Sequence, residues 1–318
     1  AMSIVGCSQS TGNDLLWLAD CDPSVNAEIT VDPALDIADE GFIIYGEPGS
    51  RTIKAKTEKG AMYGRYALDR LERTGQAEGC LDIREEPSYE RRILNHWDNL
   101  DNTIERGYAG WSIWHWGEPV PVDLIRNYAR LNASIGINGS VLNNVNATPE
   151  ILRRDYLERI AQIAGILREY GIQTYLSVNF SSPAELGGLD TSDPLVPEVR
   201  QWWAEKVAEI YTLIPDFGGF LVKANSEGLP GPQDFGRTHA DGANMLADII
   251  KPYGGIIIWR CFVYNCQQDW RDYKTDRARA AYDNFIQMDG DYHDNVILQI
   301  KNGPMDFQIR EPISPLLG

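Results

Sequence analysis

An amine, an amide and a carboxyl side chain lie close together where one apolar segment gives way to a loop rich in glycine and proline. The stretch Phe217–Pro232 opens with apolar residues that predict a buried strand over Phe220–Asn225. Side chains alternate along a strand, so Lys223, Asn225 and Glu227 are expected on one face. Three such groups emerging together at a strand end favour an active site or a substrate-binding site. A solvated strand tip is the alternative interpretation.

Further cations and an aromatic ring end other apolar runs of the chain. Arg260 and Lys301 each close a later run, and Trp97 closes an earlier one. Three cations at strand ends are unexpected in a chain of net charge −17. They predict a ligand carboxylate or phosphate held by charge-assisted hydrogen bonds, unless each cation merely pairs with a neighbouring acid. An aromatic face beside amide groups is typical of sugar binding.

Glu227 and Asp306 are the candidate carboxylate pair. Hydrolysis of a glycosidic bond needs one protonated carboxyl to assist the leaving group and one ionised carboxylate as nucleophile or as base for water. A gap of about 6.5–9.5 Å between them would admit a water molecule and predict inversion at the anomeric carbon. Sequence spacing leaves that gap open.

The elements that must position these residues alternate from about residue 89 onward. We predict strands over 92–98, 137–142, 172–179, 220–225, 255–260 and 296–301, and helices over 122–135, 149–170, 197–214, 238–250 and 276–287. Alternation of this kind implies parallel β-α-β units. An open doubly wound sheet is the alternative, but its phosphate-binding fingerprint is missing from the first β-α turn. We therefore expect an α/β fold, a (β/α)8 TIM-type barrel of about six β-α units, whose working residues lie at the carboxyl ends of its strands.

Residues 1–88 are predicted to form a small α+β accessory domain before this barrel. Its expected elements are strands over 14–18, 27–31, 41–45 and 51–57 and a helix over 58–71. The catalytic barrel domain would then span residues 89–318. Because a closed barrel needs two more strands than we count, we expect this domain to be truncated at its C-terminal side.

Composition excludes several classes of function. The net charge of −17 argues against a nucleic-acid partner or an anionic membrane surface. Five cysteines without a CxxC spacing and four scattered histidines predict neither a disulfide framework nor a metal site, and we expect no cofactor. No targeting segment is evident at the start, which leaves the cytoplasm, the periplasm and secretion open as locations.

Several long motifs resemble one known family, the α-glucuronidases of glycoside hydrolase family 67. A short helix motif, Gly60-Ala-Met-Tyr-Gly64, is similar to the N-terminal accessory domain of that family. The motifs that carry the main resemblance are Leu94-Asn-His-Trp-Asp-Asn-Leu-Asp101, Gly107-Tyr-Ala-Gly-Trp-Ser-Ile-Trp114, Val222–Pro232, Gly236–Leu246 and Lys301–Pro312.

The resemblance implies an inverting enzyme of xylan degradation. Its family removes (4-O-methyl-)glucuronic acid that is α-1,2-linked to the non-reducing-end xylose of xylo-oligosaccharides. Glu227 would be the general acid and Asp306 a general base. Trp97 would be a sugar platform, and Lys223, Arg260 and Lys301 would surround the uronic acid, in agreement with the charge argument. The family continues with further strands, a second catalytic carboxylate and a helical domain that contributes to dimer contacts, so a longer form would be a homodimer.

Two other interpretations of the chain compete with the enzyme. A non-catalytic carbohydrate-binding protein, or an inactive fragment of such an enzyme, would keep the sugar platform without turnover. Because two missing β-α units would leave strand edges and an apolar flank uncovered, we expect the isolated chain to be poorly soluble or inactive. A metal-dependent barrel hydrolase finds no supporting cluster of histidines and aspartates.

Overall fold

The computed structural model describes residues 26–105, 110–225, 228–261, 277–301 and 313–317. Their strands form two sheets, one of four strands and one of six. The chain divides into two compact units. One unit comprises residues 1–94, 121–139 and 163–173, and the other comprises residues 95–120, 140–162 and 174–318.

The small sheet belongs to the first unit. Its strands are β1 (Ala27–Val31), β2 (Phe42–Gly46), β3 (Arg51–Ala55) and β4 (Leu81–Glu85), in the spatial order β1-β3-β2-β4. Strand β1 pairs with β3 in parallel, whereas β2 pairs antiparallel with β3 and with β4. Helix α1 (Glu58–Arg73) packs on this sheet, and its N-terminus is capped by the Thr57 hydroxyl, which accepts from the amide of Gly60.

The sequence predictions for this unit are confirmed for three strands and the helix. Strand β4 was not predicted, because its sequence Leu-Asp-Ile-Arg-Glu is mostly polar and stays largely exposed. Strand β3 ends at Ala55, two residues earlier than predicted. The strand predicted over 14–18 lies outside the described residues.

The second sheet contains six strands in sequence order. They are β5 (Ile93–Asn95), β6 (Gly139–Val141), β7 (Gln173–Val178), β8 (Gly219–Val222), β9 (Ile256–Cys261) and β10 (Val296–Ile300). The pairs β7–β8, β8–β9 and β9–β10 are parallel by register. Strands β5 and β6 run the same way, since Asn138 N donates to Arg92 O and His96 N donates to Val141 O.

Helices separate these strands along the chain. They are α2 (Val122–Ser134), α3 (Arg154–Arg168), the short α4 (Ser182–Glu185), α5 (Pro197–Leu213), α6 (His239–Ile250) and α7 (Arg277–Phe285). Short 3-10 turns occupy Pro149–Leu152, Pro232–Phe235, Lys251–Tyr253 and Ile286–Met288. The predicted β-α alternation is therefore confirmed, while closure of an eight-stranded barrel stays a prediction.

One face of the large sheet packs against helices through aromatic side chains. Phe220 of β8 contacts Trp203 of α5, with ring centroids 5.9 Å apart. Trp259 of β9 donates its indole N–H to Nδ1 of His239 on α6 at 3.3 Å. Burial lowers the pKa of His239 to about 4, which keeps the ring neutral and its Nδ1 available as an acceptor.

No helix among the described residues is long and apolar enough to cross a membrane.

Gly219 provides a test of how closely β8 and β9 approach each other. Its φ of +139° lies in the region that favours glycine, and a Cβ there would overlap the carbonyl oxygen of Ile256. We expect Gly219→Ala to lower the free energy of unfolding by about 3 kcal/mol, from backbone strain and overpacking together. Chemical denaturation measures this loss.

Gly188→Ala is the matched control, because Gly188 also has a positive φ (+70°) but a Cβ there would meet open space. We expect a loss of about 1 kcal/mol from backbone strain alone. Equal losses at the two positions would show that Gly219 matters only for its backbone conformation.

Candidate active site

The register of the large sheet determines which face carries the polar side chains. Val178, Val222 and Trp259 are partners on β7, β8 and β9, in the layer that faces the helices. The residue after each of these, Asn179, Lys223 and Arg260, therefore falls on the opposite face. Gln299 is the partner of Arg260 on β10, and Lys301 directly follows Ile300, the last residue of that strand. The three cations thus lie at the carboxyl ends of adjacent strands.

These three cations are buried despite the acidic composition of the chain. The exposed fractions of Lys223, Arg260 and Lys301 are 3%, 6% and 7%. In surroundings that exclude water, a hydrogen bond from a cation to an anion is stronger than in bulk solvent. The arrangement therefore suits an anionic group of a ligand.

Two contacts reach across intervening strands. The guanidinium of Arg260, on β9, lies 5.9 Å from the ring centroid of Trp97, which follows β5. In a flat sheet those strands would be about 19 Å apart, from four spacings of about 4.8 Å. Likewise Lys223 Nζ, after β8, donates to Asn146 Oδ1, after β6, at 2.6 Å. The sheet is therefore curved, and its concave side brings these side chains together.

The strand predicted over 220–225 ends at Val222, so the alternation that placed Asn225 on one face with Lys223 does not reach Asn225. Asn225 has a φ of +52°, which breaks the two-residue alternation that the prediction required. The side-chain amide of Asn225 stabilises the loop. Its Nδ2 donates to Asp234 Oδ2 at 2.9 Å, and its Oδ1 accepts from the backbone N–H of Gln233 at 3.1 Å. Lys223 and Asn225 thus point to different partners.

The two candidate catalytic carboxylates, Glu227 and Asp306, lie outside the described residues. Their roles stay predictions, as does the gap between them. Among the remaining predicted site residues, Trp97 lies beside Arg260. Lys223 donates a hydrogen bond to Asn146. The structure places Lys301 directly after β10 and Asn225 in the loop that follows β8.

Glu105 is a site residue that the sequence reasoning missed. Its carboxylate accepts two hydrogen bonds from Asn146 Nδ2, at 2.6 and 2.7 Å, and another from Asn144 Nδ2. The loop after β5 folds back through a bridge between Asp98 and Ile104, and the Glu105 amide donates to Trp97 O at 3.0 Å. Glutamate in a polar loop gives no local signal of this placement, because the turn that creates it is set by tertiary contacts.

The side-chain amide of Asn143 makes strand-like hydrogen bonds at the end of β6. Its Nδ2 donates to Ser177 O at 3.0 Å, and its Oδ1 accepts from Ser177 N at 2.9 Å. The side chain therefore continues the pairing of β6 with β7 beyond Val141 and holds the carboxyl ends of the two strands together. Asn179 is engaged by the following turn, where its Oδ1 accepts from the amide and hydroxyl of Ser181.

The Cys261 thiol, next to Arg260 in the chain, is unsuited to act as a nucleophile. Burial raises the pKa of the Cys261 thiol to about 12, so it stays protonated at neutral pH. In the part of the chain that the structure describes, no three histidine, cysteine, aspartate or glutamate side chains are grouped to hold a metal ion.

Solved structures with a similar fold are enzymes that act on carbohydrates. A GH20 exo-β-N-acetylglucosaminidase from Vibrio harveyi matches 92% of this chain and 56% of its own, with a TM-score of 0.52 and 14% identity. A GH138 enzyme targeting pectin rhamnogalacturonan II matches 87% of this chain and 34% of its own, with a TM-score of 0.51 and 15% identity. At such low identity the likeness defines the fold class alone.

Comparison of amino-acid sequences, rather than of folds, shows the family to which this chain belongs. Residues 71–318 match the glycosyl hydrolase family 67 middle domain, and the chain belongs to that family. It is 46% identical over 293 residues to α-glucuronidase A of Emericella nidulans, covering 89% of this chain and 34% of that protein. It is 44% identical over 295 residues to an α-glucuronidase of Hypocrea jecorina, covering 90% and 34%. The chain therefore spans about a third of the length of these relatives.

Asn143→Ala tests whether a side chain joins the strands beneath the site. The variant leaves the N–H and C=O of Ser177, which is fully buried, without these partners. We expect the free energy of unfolding to fall by about 2–4 kcal/mol. Asn127→Ala, on the exposed side of α2, is the control and should change it by less than about 0.5 kcal/mol. Equal effects in urea denaturation would refute the role of Asn143.

Proposed function

We propose that this chain carries the uronic-acid site of an α-glucuronidase. The reaction would release (4-O-methyl-)glucuronic acid α-1,2-linked to the non-reducing-end xylose of xylo-oligosaccharides. The observation that carries the proposal is the burial of Lys223, Arg260 and Lys301 at the carboxyl ends of three adjacent strands. Glucuronic acid differs from glucose by a carboxylate at C6, which is the group that three cations would select. Membership of family 67 and the α-glucuronidase relatives support the same substrate class.

The fold in this proposal is part of a (β/α)8 barrel. Six parallel strands in sequence order, separated by helices, and the curvature implied by the Trp97–Arg260 contact support it. Residues 1–88 would form the accessory domain, and the barrel domain would begin near residue 89.

Binding of the sugar would combine charge recognition with a flat apolar contact. The half-buried ring of Trp97 lies beside Arg260, so a pyranose could stack on the indole while its carboxylate meets the guanidinium. Lys223 and Lys301 would approach the same carboxylate from the neighbouring strands. The Asn225 amide would act indirectly, by holding the loop that leads to Glu227.

Hydrolysis would proceed by single displacement with two carboxyl groups. Glu227, protonated, would give its proton to the glycosidic oxygen as the bond to the anomeric carbon breaks and xylose departs. Asp306, ionised, would take a proton from the water that attacks the anomeric carbon from the opposite side. One water is consumed, and the sugar acid leaves with inverted configuration.

The charge argument predicts a preference for the acid over the neutral sugar. We expect the chain to bind glucuronic acid at least tenfold more tightly than glucose in isothermal titration calorimetry, since hydrogen bonds to charged groups contribute about 1.5–3 kcal/mol. Arg260→Met should remove most of that preference. Arg200→Met, which alters an exposed ion pair with Asp248, should leave it intact. Equal affinity of the unmutated chain for the two sugars would contradict the proposal.

The acid role of Glu227 predicts a loss of turnover without a loss of binding. In the protein that carries this chain, Glu227→Ala should reduce release of glucuronic acid from aldotriouronic acid by about 10³-fold, within the range of general acid catalysis. Chromatography measures the product, and proton NMR of the first turnovers should show the β-anomer. Wild-type turnover by the variant would disprove the assignment. Binding without product in the unmutated protein would favour a carbohydrate-binding function instead.

A further inference from the structure

A chain of three polar side chains leads from a loop to one of the buried cations. Glu105 accepts from Asn146 Nδ2 at 2.6 and 2.7 Å, and Asn146 Oδ1 accepts from Lys223 Nζ at 2.6 Å. All three residues belong to the same compact unit. An amide has one donating end and one accepting end, so its orientation decides which group it can serve. Asn146 connects an anion at one end to a cation at the other.

An ionised carboxylate can only accept hydrogen bonds, and an ammonium can only donate them. Glu105 therefore holds the NH2 end of Asn146 toward itself and leaves the carbonyl end for Lys223. The same carboxylate accepts from Asn144 Nδ2, and Asn144 Oδ1 in turn accepts from the Asn146 amide at 3.0 Å. The carboxylate thus orders the whole asparagine turn after β6, and one neutral side chain separates it from Lys223.

We propose that Glu105 is a positioning residue for the uronate site, which sets the direction of the Lys223 ammonium through Asn146. The inference rests on the proposed function, in which Lys223 meets the carboxylate of the sugar. Glu105 does not itself touch the ligand in this scheme. Its effect is to fix one of the three ammonium hydrogens on Asn146, so that the other two are directed consistently.

The carboxylate of Glu105 and the amide of Asn146 can be exchanged between the two positions, which keeps the net charge of the chain constant. In Glu105→Gln, the remaining oxygen still accepts from Asn146, but the NH2 group that replaces the other oxygen opposes the NH2 of Asn146, and the charge of the acceptor is lost. In Asn146→Asp, two carboxylates face each other without a donor between them. In the double variant, the new amide at position 105 donates to the new carboxylate at position 146, and its carbonyl accepts from Asn144. The carboxylate at position 146 still accepts from Lys223, so each single change weakens the chain and the pair restores the match of donors and acceptors.

Calorimetry with glucuronic acid and with glucose tests this proposal on the full chain. We expect Glu105→Gln and Asn146→Asp each to weaken glucuronic acid binding about tenfold, the scale of one charge-assisted hydrogen bond, with the affinity for glucose unchanged. The double variant should bind glucuronic acid more tightly than either single variant but less tightly than the unmutated chain, because the carboxylate at position 146 then offsets part of the Lys223 charge. Glu198→Gln, at an exposed position in the first turn of α5, is the control and should have no effect.

The outcomes separate this proposal from the function on which it rests. If the unmutated chain shows no preference for glucuronic acid over glucose, the proposed function fails and the positioning role fails with it. If that preference exists but Glu105→Gln keeps it, only the positioning role is overturned. The same holds if the effects of the two single changes add in the double variant.

A purely structural role for Glu105 is also distinguishable. If Glu105→Gln lowers the melting temperature too far for binding to be measured, Asn146→Asp is compared with the double variant. If Glu105 is a positioning residue, adding Glu105→Gln to Asn146→Asp should improve the binding of glucuronic acid. If its role is purely structural, adding Glu105→Gln should weaken that binding further.

Discussion

The two-residue alternation of side chains along parallel strands is the constraint on which the rest of the structure depends. It sends Phe220 and Trp259 to the face that packs on helices α5 and α6, where they contact Trp203 and His239. Arg260, which follows Trp259, is sent to the opposite face, as is Lys223, which follows Val222, the partner of Trp259. A shift of one residue would exchange an apolar layer for a layer of cations, so burial of the aromatic side chains also fixes the place of the site.

The concave face concentrates positive charge within a chain of net charge −17. Lys223 and Arg260 occupy equivalent positions at the ends of β8 and β9, and Lys301 lies just beyond the end of β10. Lys223 donates to the amide of Asn146, and Arg260 lies beside the ring of Trp97. Amides can satisfy a buried cation without neutralising it, which leaves its charge available to an anionic ligand.

Much of the fold was predictable because the signals are local. Apolar runs predicted β7 and β9 to within one residue at each end, and helical periodicity predicted α2 and α5 equally well. The cations were predictable because they directly follow apolar runs. Strand β4 was not, since its polar sequence is recruited by pairing with β2 rather than by its own pattern.

The finer arrangement of the site depends on contacts distant in sequence. Strand β8 ends at Val222 because the chain turns there, and Asn225 takes a left-handed conformation held by Asp234 and Gln233. Glu105 reaches the asparagines after β6 through a loop that closes on itself, about 40 residues earlier in the chain than its partner Asn146. Neither the end of the strand nor this pairing leaves a pattern in the residues nearby.

The central claim is that the three buried cations hold the carboxylate of a sugar acid. A crystal structure of the protein with glucuronic acid tests it most directly. The account predicts carboxylate oxygens within about 3.2 Å of the Arg260 guanidinium and of at least one of Lys223 and Lys301, with the pyranose ring against Trp97. A sugar bound with its carboxylate directed away from these cations, or bound at another surface, would contradict it.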